Sequence, residues 1–261
     1  MNNAVDSHIQ MPKCVLKRFE DSEHRFCYFD VEKSVIGNNG HAKSLNTQLG
    51  YYSQSVEDTL RDQVETPFSE LMKFVESIDF NAPYTIVKND MESCAKRFIY
   101  ALFSRSPQMV STLEETSIAF PLLSEQDRHD YSAVAGIALA ERRNLLGRFY
   151  LTFTVNKTEI PFVLPMCGVY SFKLKGFDLI ILPISPSIAI TLVDKAGKNQ
   201  FSHGDTVYMF SLEDEILVNR FNLRAFMTQC KEQCGYVVAS TREMLEKLYS
   251  LYQEQLNNAA Q

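Results

Sequence analysis

Phe149-Tyr150-Leu151-Thr152-Phe153-Thr154-Val155 is the stretch on which the fold class turns. Large side chains recur at every second position, the period of a strand with a buried face. The strand pattern returns at residues 160–164, 179–182 and 188–193. Upstream the period is different. Val56, Leu60, Val64, Phe68, Leu71, Phe74 and Val75 recur at helical spacing and predict a helix over 56–78. Pro67 falls inside it and predicts a kink or split, because proline lacks an N–H and clashes with the preceding turn.

Working outward, a second helix is expected over Asp90–Ser104, ending before Pro107. A third is expected from Ser124 to about Leu146, capped by Ser124 and stopped at Gly147. Near the start, residues 8–19 read as a strand or short helix. Residues 25–36 read as a hairpin arm, with Asn38-Asn39-Gly40 as its turn. His203-Gly204-Asp205 reads as a further turn. Helices return over 213–233 and 241–255. Segregated runs of this kind define an α+β chain. Its order is an N-terminal hairpin, central helices, a mostly antiparallel sheet and C-terminal helices. No repeat or low-complexity linker interrupts it, so residues 1–261 read as one domain.

The 261 residues include 18 Phe and 12 Tyr, enough to fill a core without a metal or disulfide. Six scattered cysteines show no framework or zinc spacing. Cys230 and Cys234 fall one turn apart on an expected helix and read as small buried hydrophobes. Met1–Gln10 lacks the apolar core of a secretory leader, and no apolar run is long enough to span a bilayer. A cytoplasmic protein with reduced thiols and no membrane partner is therefore expected. The net charge of −6 does not demand a nucleic-acid partner. A local basic patch from Lys17, Arg18, Arg142, Arg143 and Arg148 would allow one, and a protein partner is equally open.

Several motifs, taken in order, make a resemblance. His8-Ile9-Gln10-Met11-Pro12 leads to Leu16 and Phe19. Tyr51-Tyr52-Ser53 precedes Glu57 and Val64-Glu65, and Arg105-Ser106-Pro107 follows the second helix. Leu182-Pro183-Ile184-Ser185-Pro186 comes next, and Asn222 opens the closing helical segment. In this order the chain resembles the bacterial domain-of-unknown-function family 4238 over most of its length. Two departures stand out. His8 lies four residues before Pro12, where many relatives have three. Pro165-Met166-Cys167-Gly168 stands where many relatives carry a Ser-Asp-Asn-Pro turn, so Met166 replaces an aspartate.

The sharpest chemical constellation is His8 with Glu57 and Glu65. Glu57, Arg61 and Glu65 follow at four-residue steps on one helix face. Two carboxylates and an imidazole suit a divalent metal that activates water, with Arg18 and Arg105 to hold a phosphate. The alternative reading of the same spacing is a surface ion-pair ladder. There is no glycine-rich phosphate loop, Gly-x-Ser-x-Gly elbow or His-Glu-x-x-His. Two functions stay open. One is a metal-assisted nucleic-acid or nucleotide-processing enzyme, such as a nuclease acting in phage defence. The other is a non-catalytic protein-interaction module.

Overall fold

In chain order the elements are β1 (Asp6–His8), α1 (Lys13–Leu16), β2 (Phe26–Asp30), β3 (Val35–Gly40), β4 (Thr47–Leu49), α2 (Gln54–Leu60), α3 (Thr66–Glu76), β5 (Tyr84–Ile86), α4 (Asn89–Ser104), α5 (Pro107–Thr116), α6 (Glu125–Arg142), β6 (Phe149–Asn156), β7 (Leu164–Pro165), β8 (Tyr170–Leu174), β9 (Phe177–Pro183), β10 (Ile188–Asp194), β11 (Thr206–Leu212), α7 (Glu215–Lys231), β12 (Tyr236–Ala239) and α8 (Arg242–Ala259). This computed structural model describes residues 6–45, 47–86, 89–142, 144–194 and 206–259. The side chains of residues 6–8, 89, 135–136 and 139–140 lie outside that description. So do Arg143 and the expected turn at His203-Gly204-Asp205.

The α+β organisation is as expected. A six-stranded sheet has the order β5-β11-β6-β10-β9-β8, and a four-stranded sheet has the order β3-β2-β12-β7. Every pairing in them is antiparallel except β11 with β6. β10 shows how the large sheet is buried. Ile188, Ile190 and Leu192 join one apolar cluster, with Phe68, Phe98 and Phe153, while Ala189 and Val193 join another, with Phe221 and Phe226. Side chains alternate across a strand, so both faces of β10 are covered. Thr152, Thr154 and Thr191 are buried too, and they satisfy their hydroxyls locally. Thr152 Oγ1 donates to the Thr191 carbonyl at 2.9 Å, and the Thr154 and Thr191 hydroxyls pair at 2.7 Å.

Three local expectations are corrected and one, at Pro107, is extended. Asn38-Asn39-Gly40 is not the hairpin turn; β2 and β3 reverse at residues 31–34, and Asn38-Asn39-Gly40 lies within β3. Gly37 and Gly40 face the rings of Tyr28 and Phe26 so closely that neither has room for a Cβ. The glycines there accommodate aromatic rings across the strand pair. Pro107 does more than end a helix. It opens α5 at a position that needs no N–H, and the Ser106 side chain accepts the Met109 N–H at 3.2 Å. The third helix stops at Arg142, before Gly147. Asn144 takes a left-handed backbone (φ 47°), and the Leu146 N–H donates to the Tyr100 hydroxyl at 2.7 Å. Within 160–164 only Leu164 joins a strand. Asn222 supplies the partners that a neighbouring strand would give: it accepts the Val163 N–H at 3.0 Å and donates to the Pro161 carbonyl at 2.8 Å.

That role places Asn222 in the middle of α7 rather than at its opening. One helical stretch further on, Gln229 accepts the Cys167 N–H and donates to the Cys234 carbonyl, both at 2.8 Å. Two buried amides thus tie the 161–168 segment to α7. Met166 is fully buried in the apolar core, so a polar turn residue has no counterpart there.

Glu232, just past α7, accepts the Gln108 N–H at 3.0 Å and braces the start of α5. Burial raises its carboxyl above the ordinary range, and that hydrogen bond only partly offsets the rise. A raised folded-state value means the folded protein holds the proton more tightly than the unfolded chain. Stability is then full below the ordinary carboxylate range and falls as pH rises through the folded value. We expect Glu232→Gln to gain stability relative to the parent at neutral pH and to lose that advantage at acid pH. Urea unfolding at several pH values checks this.

Candidate functional site

Residues 54–76 form one helical run, but its middle is not α-helical. Between α2 and α3, Arg61–Glu65 makes a π-helical turn, and Thr66-Pro67 resumes the α-helix. The wider turn stands where Pro67 would otherwise crowd the carbonyl one turn behind it. It also changes which residues share a face. Two α-helical turns take about 7.2 residues, and a π turn absorbs roughly one more, so an eight-residue step closes about two turns. Glu57 and Glu65 are eight apart. The bulge therefore brings them onto one line, where a straight α-helix would leave them on the same side but about 80° apart.

Both glutamates line a pocket of about 330 Å³, together with Pro12, Lys13, Cys14, Lys43, Leu60, Ser69 and Arg105. α4 sets the far wall. Phe98 stacks on Phe68 of α3 with ring centroids 3.5 Å apart, locking the two helices together. Arg105 follows the last residue of α4, and its Nε donates back to the Ala101 carbonyl at 3.1 Å. Its side chain is only 1% exposed, and its Nη1 lies 3.7 Å from Glu65 Oε1. The Arg105 Nη2 group is buried and has no hydrogen-bond partner among the described residues. On the near side, Asp130 of α6 accepts the Ser53 N–H at 2.8 Å and so caps α2 from another helix.

The electrostatics follow from this layout. Burial raises the Cys14 thiol, the Glu65 carboxylate raises it further, and a hydrogen bond with Ser69 opposes both. Burial likewise raises the Tyr52 hydroxyl, which Arg105 lowers and Glu57 and Glu65 raise. Tyr52 donates to the Ile9 carbonyl at 3.1 Å. Burial raises thiols elsewhere in the chain as well. Cys94 is pushed up to about 11, Cys230 to about 12 and Cys234 to about 11, each first by burial. Cys234 also lies beyond the end of α7, so the expected one-helix pair with Cys230 is not formed.

Of the five residues singled out from the sequence, the structure brings together Glu57, Glu65 and Arg105. Arg18 is elsewhere: it pairs with Glu76 at the far end of α3. Eleven residues of helix, or about 16 Å of rise, separate Glu76 from Glu65. His8 ends β1 with its backbone opposite Thr47, and its imidazole lies outside the described residues. The surface ladder is not formed either, because Arg61 pairs with Asp58 at 2.8 Å and Asp62 at 2.9 Å. Lys13, Lys43, Cys14 and Ser69 were not singled out. They come from α1, the loop after β3 and the next turn of α3, and only the fold assembles them. Among the described residues no three His, Cys, Asp or Glu side chains form a metal-binding group. Among the described residues no helix is long and apolar enough to cross a membrane.

Compared with protein-family models, curated proteins and solved structures, the chain matches none.

Glu65 acts on Cys14 through its charge, which gives a direct check on the pocket. We expect Glu65→Gln to raise the rate at which an alkylating reagent modifies Cys14 at mildly alkaline pH. Peptide mass spectrometry reads this at Cys14 alone. An unchanged rate would place the carboxylate away from the thiol.

Proposed function

We propose that this pocket takes the phosphate of a nucleotide or nucleic-acid end and that the protein is a metal-assisted phosphoester-processing enzyme. The observation that carries the reading is the buried Arg105 guanidinium, whose Nη2 has no partner among the described residues and which stands beside a carboxylate. A buried donor without a partner is costly, and a phosphate oxygen is the ligand best matched to a guanidinium fork. Lys13 and Lys43 add positive charge on the same pocket. Glu57 and Glu65 would hold the metal. Magnesium commonly uses one or two carboxylates and completes its shell with water and substrate phosphate, so a third protein ligand is not required. His8 remains a candidate for the shell. The metal would lower the pKa of a bound water for attack on phosphorus, and Arg105 would steady the charge that develops. The proposal keeps the cytoplasmic setting and the role in phage defence expected from the sequence, and the family 4238 resemblance would make the protein bacterial.

A second reading, a non-catalytic module that binds another protein, draws on one observation. Ile118 is 94% exposed and Leu122 82%, both in the segment joining α5 to α6.

A thermal-shift series with Mg²⁺, Mn²⁺ and Zn²⁺, each with and without a nucleoside monophosphate, separates the two. A ligand at a hundredfold excess over its Kd stabilises by about 2.7 kcal/mol. We expect a saturable rise that needs metal and nucleotide together and disappears in Glu57→Ala/Glu65→Ala. No rise with any combination would sink the enzyme reading and leave the interaction module.

A further inference from the structure

Two arginines on α7 stand out in a chain of net charge −6. Arg220 and Arg224 lie one turn apart, a spacing at which like charges repel. Among the described residues neither pairs with a carboxylate. Arg224 Nε donates to the Ser171 carbonyl of β8 at 3.0 Å, and the Arg220 guanidinium lies 5.6 Å from the centre of the Phe172 ring. Phe172 is itself held edge-on against Phe221, with centroids 4.5 Å apart. These contacts fix both side chains, yet the Nη groups of the two arginines make no hydrogen bond within the described protein.

Both line a groove of about 530 Å³ with Arg148, Phe149, Ser171, Phe172, Lys173, Asp178, Leu179 and Ile180. Arg148 lies over Phe149 at 5.1 Å and reaches Asp194 at 3.4 Å; Lys173 reaches Asp178 at 3.9 Å. Four cations thus line the groove with a single carboxylate, and the two α7 arginines are the ones left without a counter-charge. The patch expected from Lys17, Arg18 and Arg142 is not this one; of that set only Arg148 contributes. Arg105 and the two glutamates are not among its lining residues, so the groove is separate from the phosphate pocket.

We infer that this groove binds single-stranded nucleic acid through its phosphodiester backbone. The arginines supply forked donors for phosphate oxygens. The guanidiniums of Arg148 and Arg220, each lying over a phenylalanine ring, offer flat cationic surfaces on which unstacked bases lie. A duplex hides its base faces, and an acidic peptide has no such faces. The single strand is therefore the polyanion that uses both features of the groove. This inference stands on the groove alone and does not rest on the chemistry of the Arg105 pocket.

The test is fluorescence anisotropy of a labelled oligothymidylate about 12 nucleotides long, a length within the range of single-strand sites. We expect saturable binding that weakens with salt. With about four phosphates neutralised, the slope of log affinity against log salt is roughly −3. Arg220→Glu/Arg224→Glu should weaken binding at least about tenfold. Arg220→Gln/Arg224→Gln should weaken it less, with a shallower salt slope. Circular dichroism confirms that each variant is folded, and should the glutamate variant fail to fold, the glutamine variant decides. No binding, equal binding by folded variants, or equal affinity for duplex DNA or polyglutamate would each overturn the inference.

Discussion

The π-helical turn at Arg61–Glu65 is the constraint on which the candidate site depends. It stands immediately before Pro67, where a regular helix would meet a steric clash and a missing donor. The extra residue in that turn rotates Glu57 and Glu65 onto a common line, while Arg61 is left to Asp58 and Asp62 on the surface. The Phe68–Phe98 stack then sets the distance between α3 and α4, and α4 ends where Arg105 meets Glu65. A proline, a stacked ring pair and an ion pair between buried Arg105 and half-buried Glu65 are thus parts of one arrangement. π turns recur at functional positions because they re-aim side chains without breaking the helix.

Much of the fold was legible in local pattern. The period-two alternation of residues 149–155 and 188–193 marks the buried centre of the large sheet, and the helices over 54–76, 89–104, 215–231 and 242–259 follow their apolar spacing closely. What escaped was set by partners distant in sequence. Residues 161–163 carry strand-like side chains, but Asn222, some sixty residues away, satisfies their backbone. Asn38-Asn39-Gly40 has turn composition, yet the rings opposite Gly37 and Gly40 hold it in β3. Tyr170–Leu174 and Thr206–Leu212 are strands whose mixed side chains carry only a weak alternation.

The candidate site was legible in the same uneven way. Glu57 and Glu65 could be paired from spacing alone, although the reason they face together is the π turn, which the spacing does not reveal. Arg105 was visible as the residue before a Ser-Pro step. Arg18 looked equivalent by charge and was not, because Glu76 claims it at the other end of α3. Lys13 and Lys43 carried no sequence signal as site residues, since only the folding of the N-terminal segment against α2 and α3 brings them to the pocket. Among the described residues, the Arg105 pocket and the α7 groove each hold a guanidinium with donors to spare.

A crystal structure grown with Mn²⁺ and a nucleoside monophosphate tests the central claim most directly, through its anomalous difference map. The account predicts a manganese peak between the Glu57 and Glu65 carboxylates and a phosphate on Arg105 Nη2. A regular α-helix through residues 61–65, with the two glutamates on different faces and no peak between them, would contradict it.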